Sequence, residues 1–214
     1  MFITLEAGEG AGKTTQCRKL KDRLEKHGLP VVLTREPGGT PLAEDLRTVV
    51  VKGHPDSMDA MTELLIFTAA RRDHVNRTIK PALEQGKIVI CDRYIGSTHA
   101  LQGAAGTSAE TIERIHDHAG IDLRPDITFY LETDPEHALA RSTDRLSLED
   151  SGEGRFERKG VRFHEQVATI FRALARSDPK WTTIDGTGTI TEVSDRIMAV
   201  LLDHPKFPGS KKSD

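Results

Sequence analysis

Short apolar runs alternate with longer amphipathic stretches along this chain of 214 residues. Each apolar run is too short for a helix and fits a buried strand. The runs predict strands over residues 2–6, 31–34, 88–91, 127–131 and 182–184. Because helical patterns separate these strands, we expect an α/β fold in three layers: a five-stranded parallel sheet with helices on both faces.

Glycine and proline mark the ends of the predicted helices. Residues 14–26 carry Leu20 and Leu24 at helical spacing, and this pattern ends at Gly28, with Pro30 just beyond it. A longer helical stretch runs from about residue 57 to 84, and Pro81 is expected to break it before Gln85 and Gly86 end it.

Two segments depart from these patterns. Residues 142–160 are charged, carry three glycines and show no sustained apolar face, which indicates a mobile surface lid. A merely solvated loop is the alternative. Residues 205–214 mix proline, glycine and charge, so we expect a flexible tail that adds little to the core. The prediction is one domain over residues 1–204.

Composition narrows the classes of function. The 36% hydrophobic content supports one substantial core, and a net charge of −3 argues against a general nucleic-acid binder. Two distant cysteines, Cys17 and Cys91, indicate neither a disulfide framework nor a zinc site, and they suit a reducing cytosol. Without an apolar run of bilayer length or a basic leader, we expect a cytoplasmic protein with no membrane partner.

The residues after the first strand carry the strongest motif. Ala-Gly-Glu-Gly-Ala-Gly-Lys-Thr-Thr, residues 7–15, is close to G-x-x-x-x-G-K-[ST] between a strand and a helix. Such a loop turns backbone N–H groups around phosphate oxygens at a helix N-terminus. We expect ATP to bind Gly8, Glu9, Gly10, Ala11, Gly12, Lys13, Thr14 and Thr15.

Specific groups of this loop have expected roles. Lys13 would neutralise the β- and γ-phosphates, and the Thr14 hydroxyl would bind Mg²⁺. Ala7 stands where the pattern has glycine, which matters only if that position needs a positive φ. Gly8, beside it, is the residue expected to supply this freedom. The motif predicts nucleotide binding and leaves the reaction open.

The third strand ends in a second candidate site, Asp92 and Arg93. Ligands bind at the carboxyl ends of parallel strands, so Asp92 is expected to hold Mg²⁺ through water. Arg93 would be costly to bury unless it faces an anion, which indicates a phosphate clamp. A surface Asp92–Arg93 pair is the alternative.

At this point the sequence resembles a known family. Residues 92–103, Asp-Arg-Tyr-Ile-Gly-Ser-Thr-His-Ala-Leu-Gln-Gly, are similar to the DRYxxSxxAYQG signature of thymidylate kinases. Residues 35–40, 67–71 and 154–157 also resemble family segments, and the likeness extends from the first strand to about Asp185. The resemblance implies a P-loop NTPase fold and transfer of the γ-phosphoryl group of ATP to dTMP, with Mg²⁺.

The resemblance also implies roles for single residues on the acceptor side. Arg47 and Arg93 would bind the monophosphate, Phe67 would stack on the base, and Arg71 would meet a polar edge of thymine. A planar guanidinium can bridge two phosphate oxygens, which lysine cannot do. The remaining implied acceptor residues are Glu36, Ser97 and Gln102, with Glu9 near the sugar 3′-hydroxyl.

Charge on the transferring phosphoryl group is expected from the lid. Ala11 leaves the phosphate loop without an arginine, and Arg155 matches the family's lid position, which resembles the bacterial arrangement. Lys13, Arg93, Arg155 and Glu9 are therefore the expected catalytic residues. Arg158 and Arg145 remain alternatives for the lid role. Loss of Arg155 is expected to lower kcat more than ATP affinity.

Two other functions remain open. A P-loop switch would control a partner rather than phosphorylate a metabolite, but the sequence has no guanine-reading Asn-Lys-x-Asp run. A kinase for another monophosphate or for a deoxynucleoside is nearer, because Leu101 replaces an aromatic residue that the family associates with excluding a ribose 2′-hydroxyl. The resemblance further implies a homodimer packed through helices.

Overall fold

A five-stranded parallel sheet forms the centre of the computed structural model, which describes residues 1–52, 54–148 and 154–209. In spatial order the strands run β2-β3-β1-β4-β5, and every pairing is parallel. The strands are β1 (Phe2–Glu6), β2 (Val31–Arg35), β3 (Ile88–Asp92), β4 (Ile127–Glu132) and β5 (Trp181–Asp185). The predicted sheet is confirmed, with strand ends shifted by one residue at most.

Helices cover both faces of this sheet. They are α1 (Lys13–Lys26), α2 (Pro41–Val51), α3 (Ala60–His74), α4 (Lys80–Glu84), α5 (Ile95–Ala104), α6 (Ala109–His118), α7 (Pro135–Leu148), α8 (Val161–Ser177) and α9 (Ile190–Leu202). Side chains alternate along β1, so Ile3 and Leu5 pack toward α1 and α9, whereas Phe2 packs toward Tyr94. No helix in the described part of the chain is both long and apolar enough to cross a bilayer.

Pro81 alters the long helical stretch less than expected. The chain passes from α3 through a π-helical turn, Val75–Ile79, into α4 without leaving the helical region. The Lys80 N–H bonds to the Val75 carbonyl, five residues back. A wider turn just before a proline removes the clash that its ring would make with an α-helical carbonyl. The predicted break is therefore a local widening.

The predicted lid is partly helical. Helix α7 continues through residue 148, so the first part of segment 142–160 belongs to a helix rather than to a loop. Residues 149–153 lie outside the described residues. The chain returns at residue 154 and makes one 3₁₀ turn, Glu157–Lys159, before α8. The Ser142 hydroxyl donates to Glu157 Oε1 at 3.0 Å and ties α7 to this returning segment.

The predicted tail begins with residues that pack on the core. Phe207 is 4% exposed and belongs to the cluster formed by β1, α1 and α9. Lys206 Nζ lies 2.7 Å from Asp126 Oδ1, and Asp126 Oδ2 accepts a bond from the Phe2 N–H. The expectation that residues from 205 onward add little to the core is thus corrected by one aromatic side chain. Residues 210–214 lie outside the described residues.

Candidate active site

Three loops meet at the carboxyl ends of neighbouring strands. The segments after β2, β3 and β1 come together because these strands are adjacent in the sheet. The phosphate loop leads from β1 into α1, where Gly12 is the N-cap residue with φ 86°. The first turn of α1 therefore directs its unpaired N–H groups and its dipole at the space between the loops.

The phosphate loop takes its shape from two glycines. Gly10 and Gly12 have φ values of 69° and 86°, in the left-handed region that favours glycine. Gly8 does not have a positive φ, so the expectation that it supplies the loop's freedom is wrong. Arg93 is the non-glycine residue with positive φ in the described chain, so Ala7 is unstrained. The Ala7 methyl is buried in the core, which makes alanine compatible with this loop.

Lys13 is held inside the loop. Its Nζ donates to the carbonyl oxygens of Ala7 at 3.1 Å and of Gly8 at 2.7 Å. Burial, together with the nearby Arg93 cation, lowers the pKa of Lys13 to about 8. The loop borders a cavity of about 330 Å³ that residues 9–15 share with Asp92, Arg93 and Arg141. All the predicted ATP-binding residues except Gly8 line this cavity.

The two residues predicted to hold Mg²⁺ are brought into direct contact. Thr14 Oγ1 donates to Asp92 Oδ2 at 2.5 Å, across 78 residues of sequence. Both border the phosphate-loop cavity and offer only oxygen atoms, the ligands that Mg²⁺ prefers. The donor set at this position therefore fits magnesium.

Arg93 is held by its backbone conformation and by three side-chain bonds. It follows β3 with φ 71°, and its guanidinium donates to Ala7 O at 3.0 Å, to Ser97 Oγ at 2.9 Å and to Glu9 Oε1 at 2.6 Å. Although burial raises it, the pKa of Glu9 falls to about 2 because Arg93 and Lys13 stabilise the carboxylate. This arrangement contradicts a surface Asp92–Arg93 pair, because Arg93 bonds to Glu9 inside the site.

A second cavity adjoins the first. It has a volume of about 250 Å³ and shares Glu9, Glu36, Arg47 and Arg93 with the phosphate-loop cavity. Every predicted acceptor residue lines it: Glu36, Arg47, Phe67, Arg71, Arg93, Ser97 and Gln102. Leu101 and Phe156 add apolar walls. Two ligands can thus lie end to end, with two arginines at the junction.

Arg71 is fixed from several sides within the second cavity. Its Nε donates to Glu36 Oε2 at 2.6 Å, and its Nη1 donates to Thr98 Oγ1 at 2.9 Å. Burial and the Arg71 charge lower the pKa of His116 to about 3, so this neutral ring accepts from Arg71 Nη1 at 3.0 Å. His74 Nδ1 lies 2.9 Å from Glu36 Oε1. Sequence reasoning missed both histidine contacts.

Ser97 and Gln102 are anchored by carboxylates that the sequence did not single out. Ser97 Oγ donates to Glu6 Oε2 at 2.5 Å, and burial raises the pKa of Glu6. Gln102 Nε2 donates to Glu63 Oε1 at 2.6 Å. In the described part of the chain, no group donates to Gln102 Oε1.

Comparison with known proteins decides the family. A family model described as thymidylate kinase matches residues 5–197. The chain belongs to the thymidylate kinase family. The thymidylate kinase of Syntrophotalea carbinolica is 41% identical over 213 residues, which cover 97% of this chain and 98% of that protein. That of Cereibacter sphaeroides is 45% identical over 202 residues, covering 94% and 93%.

A solved thymidylate kinase confirms the fold. The crystal structure from Ehrlichia chaffeensis aligns with a TM-score of 0.75 at 36% identity, and the alignment covers 94% of this chain and 98% of that chain. The three-layer P-loop fold predicted from the thymidylate kinase resemblance is therefore correct.

Arg155 does not lie where the thymidylate kinase pattern led us to expect it. The side chain is fully buried between α2 and α3, where it bonds to the Glu63 carboxylate. It also donates to the carbonyl oxygens of Val50 at 3.3 Å, His54 at 3.2 Å and Pro55 at 3.0 Å. A buried guanidinium needs such acceptors, and the last carbonyls of α2 lack helical partners. In this structure Arg155 therefore lines neither the phosphate-loop cavity nor the second cavity, and its role at the transferring phosphoryl group stays a prediction.

Another arginine of this thymidylate kinase borders the phosphate loop. Arg141, an exposed residue of α7, lines the phosphate-loop cavity together with Lys13 and Thr14. Among the alternatives for the lid role, Arg158 is exposed. The Arg145 side chain lies outside the described residues. In the described structure, Arg141 is thus the cationic side chain of α7 that borders the phosphate-loop cavity.

Proposed function

We propose that the protein is a thymidylate kinase that transfers the γ-phosphoryl group of ATP to dTMP and gives dTDP and ADP for dTTP synthesis. The observation that carries this proposal is the pair of adjoining cavities with Arg47 and Arg93 at their junction. One cavity has the phosphate loop, and the other has an aromatic wall with polar groups. A phosphoryl group must pass between two such ligands in line.

On the donor side, the proposal gives the phosphate loop to ATP. Residues 8–15 surround the phosphates with backbone N–H groups, and Lys13 exchanges its loop carbonyls for β- and γ-oxygens. Thr14 and Asp92 would hold Mg²⁺, which would supply positive charge at the phosphate oxygens. Arg141 adds charge from α7 in place of Arg155.

On the acceptor side, the proposal gives dTMP the second cavity. Phe67 stacks on the base, while Arg71, Ser97 and Gln102 face its polar edge and Glu36 holds Arg71 in place. Arg47 and Arg93 bind the monophosphate. Glu9 lies near the sugar 3′-hydroxyl, and its low pKa keeps it an acceptor.

The mechanism needs no general base. A phosphate monoester has a second pKa near ~6, so its attacking oxygen is largely anionic at pH 7. Catalysis then consists of aligning two polyanions and shielding their repulsion, which Lys13 and Arg93 are placed to do. The loss of one such contact costs ~10³-fold in rate.

Steady-state kinetics with dTMP, dUMP, UMP and thymidine test the function. We expect dTMP to have the highest kcat/KM. Phosphorylation of thymidine alone, or of no acceptor, would contradict the proposal and favour a nucleoside kinase or a switch. Leu101 lines the acceptor cavity where an aromatic residue was expected, so we predict weak discrimination between dUMP and UMP.

The proposal includes a homodimer in the cytoplasm. Four exposed apolar side chains lie on the packed pair α2 and α3: Leu42, Val49, Met61 and Leu65. Exposed apolar patches on a protein surface mark sites of contact with a partner. Both cysteines, Cys17 and Cys91, are buried free thiols, which suits a reducing compartment.

A further inference from the structure

Glu63 is a buried acid that does not border either cavity. It lies on α3 at 1% exposure and is surrounded by cationic and amide groups. One oxygen accepts from Gln102 Nε2 at 2.6 Å, and the other accepts from Arg155 Nη1. Lys159 Nζ lies 3.9 Å away. Glu63 therefore connects a residue of the acceptor cavity to the segment that follows residue 153.

The contact with Glu63 determines which way the Gln102 amide points. An ionised carboxylate only accepts hydrogen bonds, so Gln102 must present its NH₂ group to it. The amide oxygen is then directed away from Glu63, and no described group donates to it. Gln102 lines the second cavity, the proposed dTMP site. Its buried amide oxygen can therefore accept a hydrogen bond from an N–H group of the ligand.

We propose that Glu63 is a positioning residue that selects the base of the acceptor. By holding the Gln102 NH₂ group, it leaves the Gln102 oxygen as the amide atom still open to a donor from the cavity, which favours a base that carries N–H at position 3, as thymine and uracil do. Cytosine has no hydrogen on N3, so its N3 and the Gln102 oxygen would be two hydrogen-bond acceptors that face each other with no donor between them. This inference rests on the proposed function. It explains how one buried carboxylate determines which class of base the enzyme accepts.

Arg155 maintains this arrangement from the other side. Its guanidinium bonds to the Glu63 carboxylate and compensates the negative charge of a side chain that is 1% exposed. Without this partner Glu63 would be an unpaired buried charge, and its contact with the Gln102 amide would be disrupted. Gly154 and Phe156, beside Arg155, line the same cavity. The segment that returns at residue 154 therefore contributes both to the cavity wall and, through Arg155, to the position of Glu63.

Calorimetric titration of Glu63→Gln with dTMP and with dCMP tests the proposal. In this variant the new amide at position 63 can donate to the Gln102 oxygen, and the NH₂ group of Gln102 then turns to the cavity. We expect the ratio of Kd for dCMP to Kd for dTMP to fall about tenfold or more. Arg71 keeps its own partners, so some preference for thymine remains. A general loss of structure would lower the stoichiometry and leave the ratio unchanged.

A second variant covers the case in which Glu63→Gln leaves Arg155 as an unpaired buried charge and prevents folding. The double variant Glu63→Gln/Arg155→Gln removes both charges, and we expect the same fall in the ratio. An unchanged ratio in the folded variants overturns the proposal. Wild-type protein that binds no dTMP overturns the proposed function, a result seen before any variant is needed.

Arg155→Gln alone separates the two roles considered for this arginine. If Arg155 acts through Glu63, the Kd ratio falls and KM for dTMP rises. If Arg155 instead contacts the transferring phosphoryl group, kcat falls equally with dTMP and dUMP and the Kd ratio stays constant. That second outcome contradicts the link between the lid segment and Glu63. Arg162→Gln, an exposed arginine at the start of α8, is the matched control and should change neither quantity.

Discussion

Arg93 combines backbone strain with three side-chain bonds. Its φ of 71° costs an arginine about 1–3 kcal/mol, because its Cβ crowds the backbone in the left-handed region. The bonds to Ala7, Ser97 and Glu9 offset this cost and hold the guanidinium at the junction of the two cavities. The Arg93 guanidinium is therefore already fixed before substrates bind. Such preorganisation suits a group at the junction of two ligand sites, because no side-chain ordering is needed when the ligands arrive.

The lowered pKa of Lys13 predicts a pH dependence of donor binding. Because burial and Arg93 lower this pKa to about 8, raising the pH through that value neutralises the ammonium group. We expect the affinity of the free enzyme for ADP to fall between about pH 7.5 and 9.5, measured by calorimetric titration.

Lys13→Arg provides the control for this pH dependence. Arginine stays charged throughout the range, so this variant should bind ADP more weakly than wild type but with no change from about pH 7.5 to 9.5. A wild-type affinity that is constant over the same range would show that Lys13 keeps its proton. The nearby carboxylates would then raise the pKa of Lys13 more than burial and Arg93 lower it.

At the scale of elements, the phosphate loop is packed against α7. A Cβ added at Gly10 would overlap the Ala138 carbonyl of that helix, and Gly10 already has φ 69°. We expect Gly10→Ala to lower the free energy of unfolding by about 1–3 kcal/mol, measured by urea denaturation.

Gly8→Ala is the matched control for this loop. A Cβ at Gly8 meets no atom within 4 Å, and its φ is not positive, so the change should stay within about 0.5 kcal/mol. An equal loss of unfolding free energy in the two alanine variants would mean that the close contact between Gly10 and α7 does not determine which residues the loop tolerates.

The elements and residues that could be predicted from the sequence are those with local signals. Apolar runs gave the strands, and the spacing of Gly12 and Lys13 from β1 gave the loop. The direction of Arg155 could not be predicted, because its acceptors on Val50, His54 and Glu63 are distant in sequence. A signal for Glu63 did exist, since it precedes Phe67 by four residues and so shares its face of α3.

At the scale of the whole molecule, the proposed dimer can be tested through its apolar face. Leu65 is 52% exposed on α3, near the exposed side chains of α2. We expect the wild-type mass in solution to be twice the 23.6 kDa of one chain, and Leu65→Glu to yield monomers by light scattering after size exclusion.

A leucine on another surface is the control for the dimer experiment. Leu202, 43% exposed at the end of α9, lies outside the α2 and α3 face, so Leu202→Glu should remain dimeric. A wild-type monomer, or dimers in both variants, would contradict an interface on α2 and α3.

The central place of β1 has a consequence for how the protein is made. Strand β1 precedes β3 and β4 along the chain yet lies between them in the sheet, so one edge stays unpaired until residues 88–92 follow and the other until residues 127–132 do. Contacts of such long sequence separation form slowly. The phosphate loop, which follows β1 directly, is therefore held in place only after β3 and β4 have been translated, and ATP binding cannot stabilise the loop before these strands pair with β1.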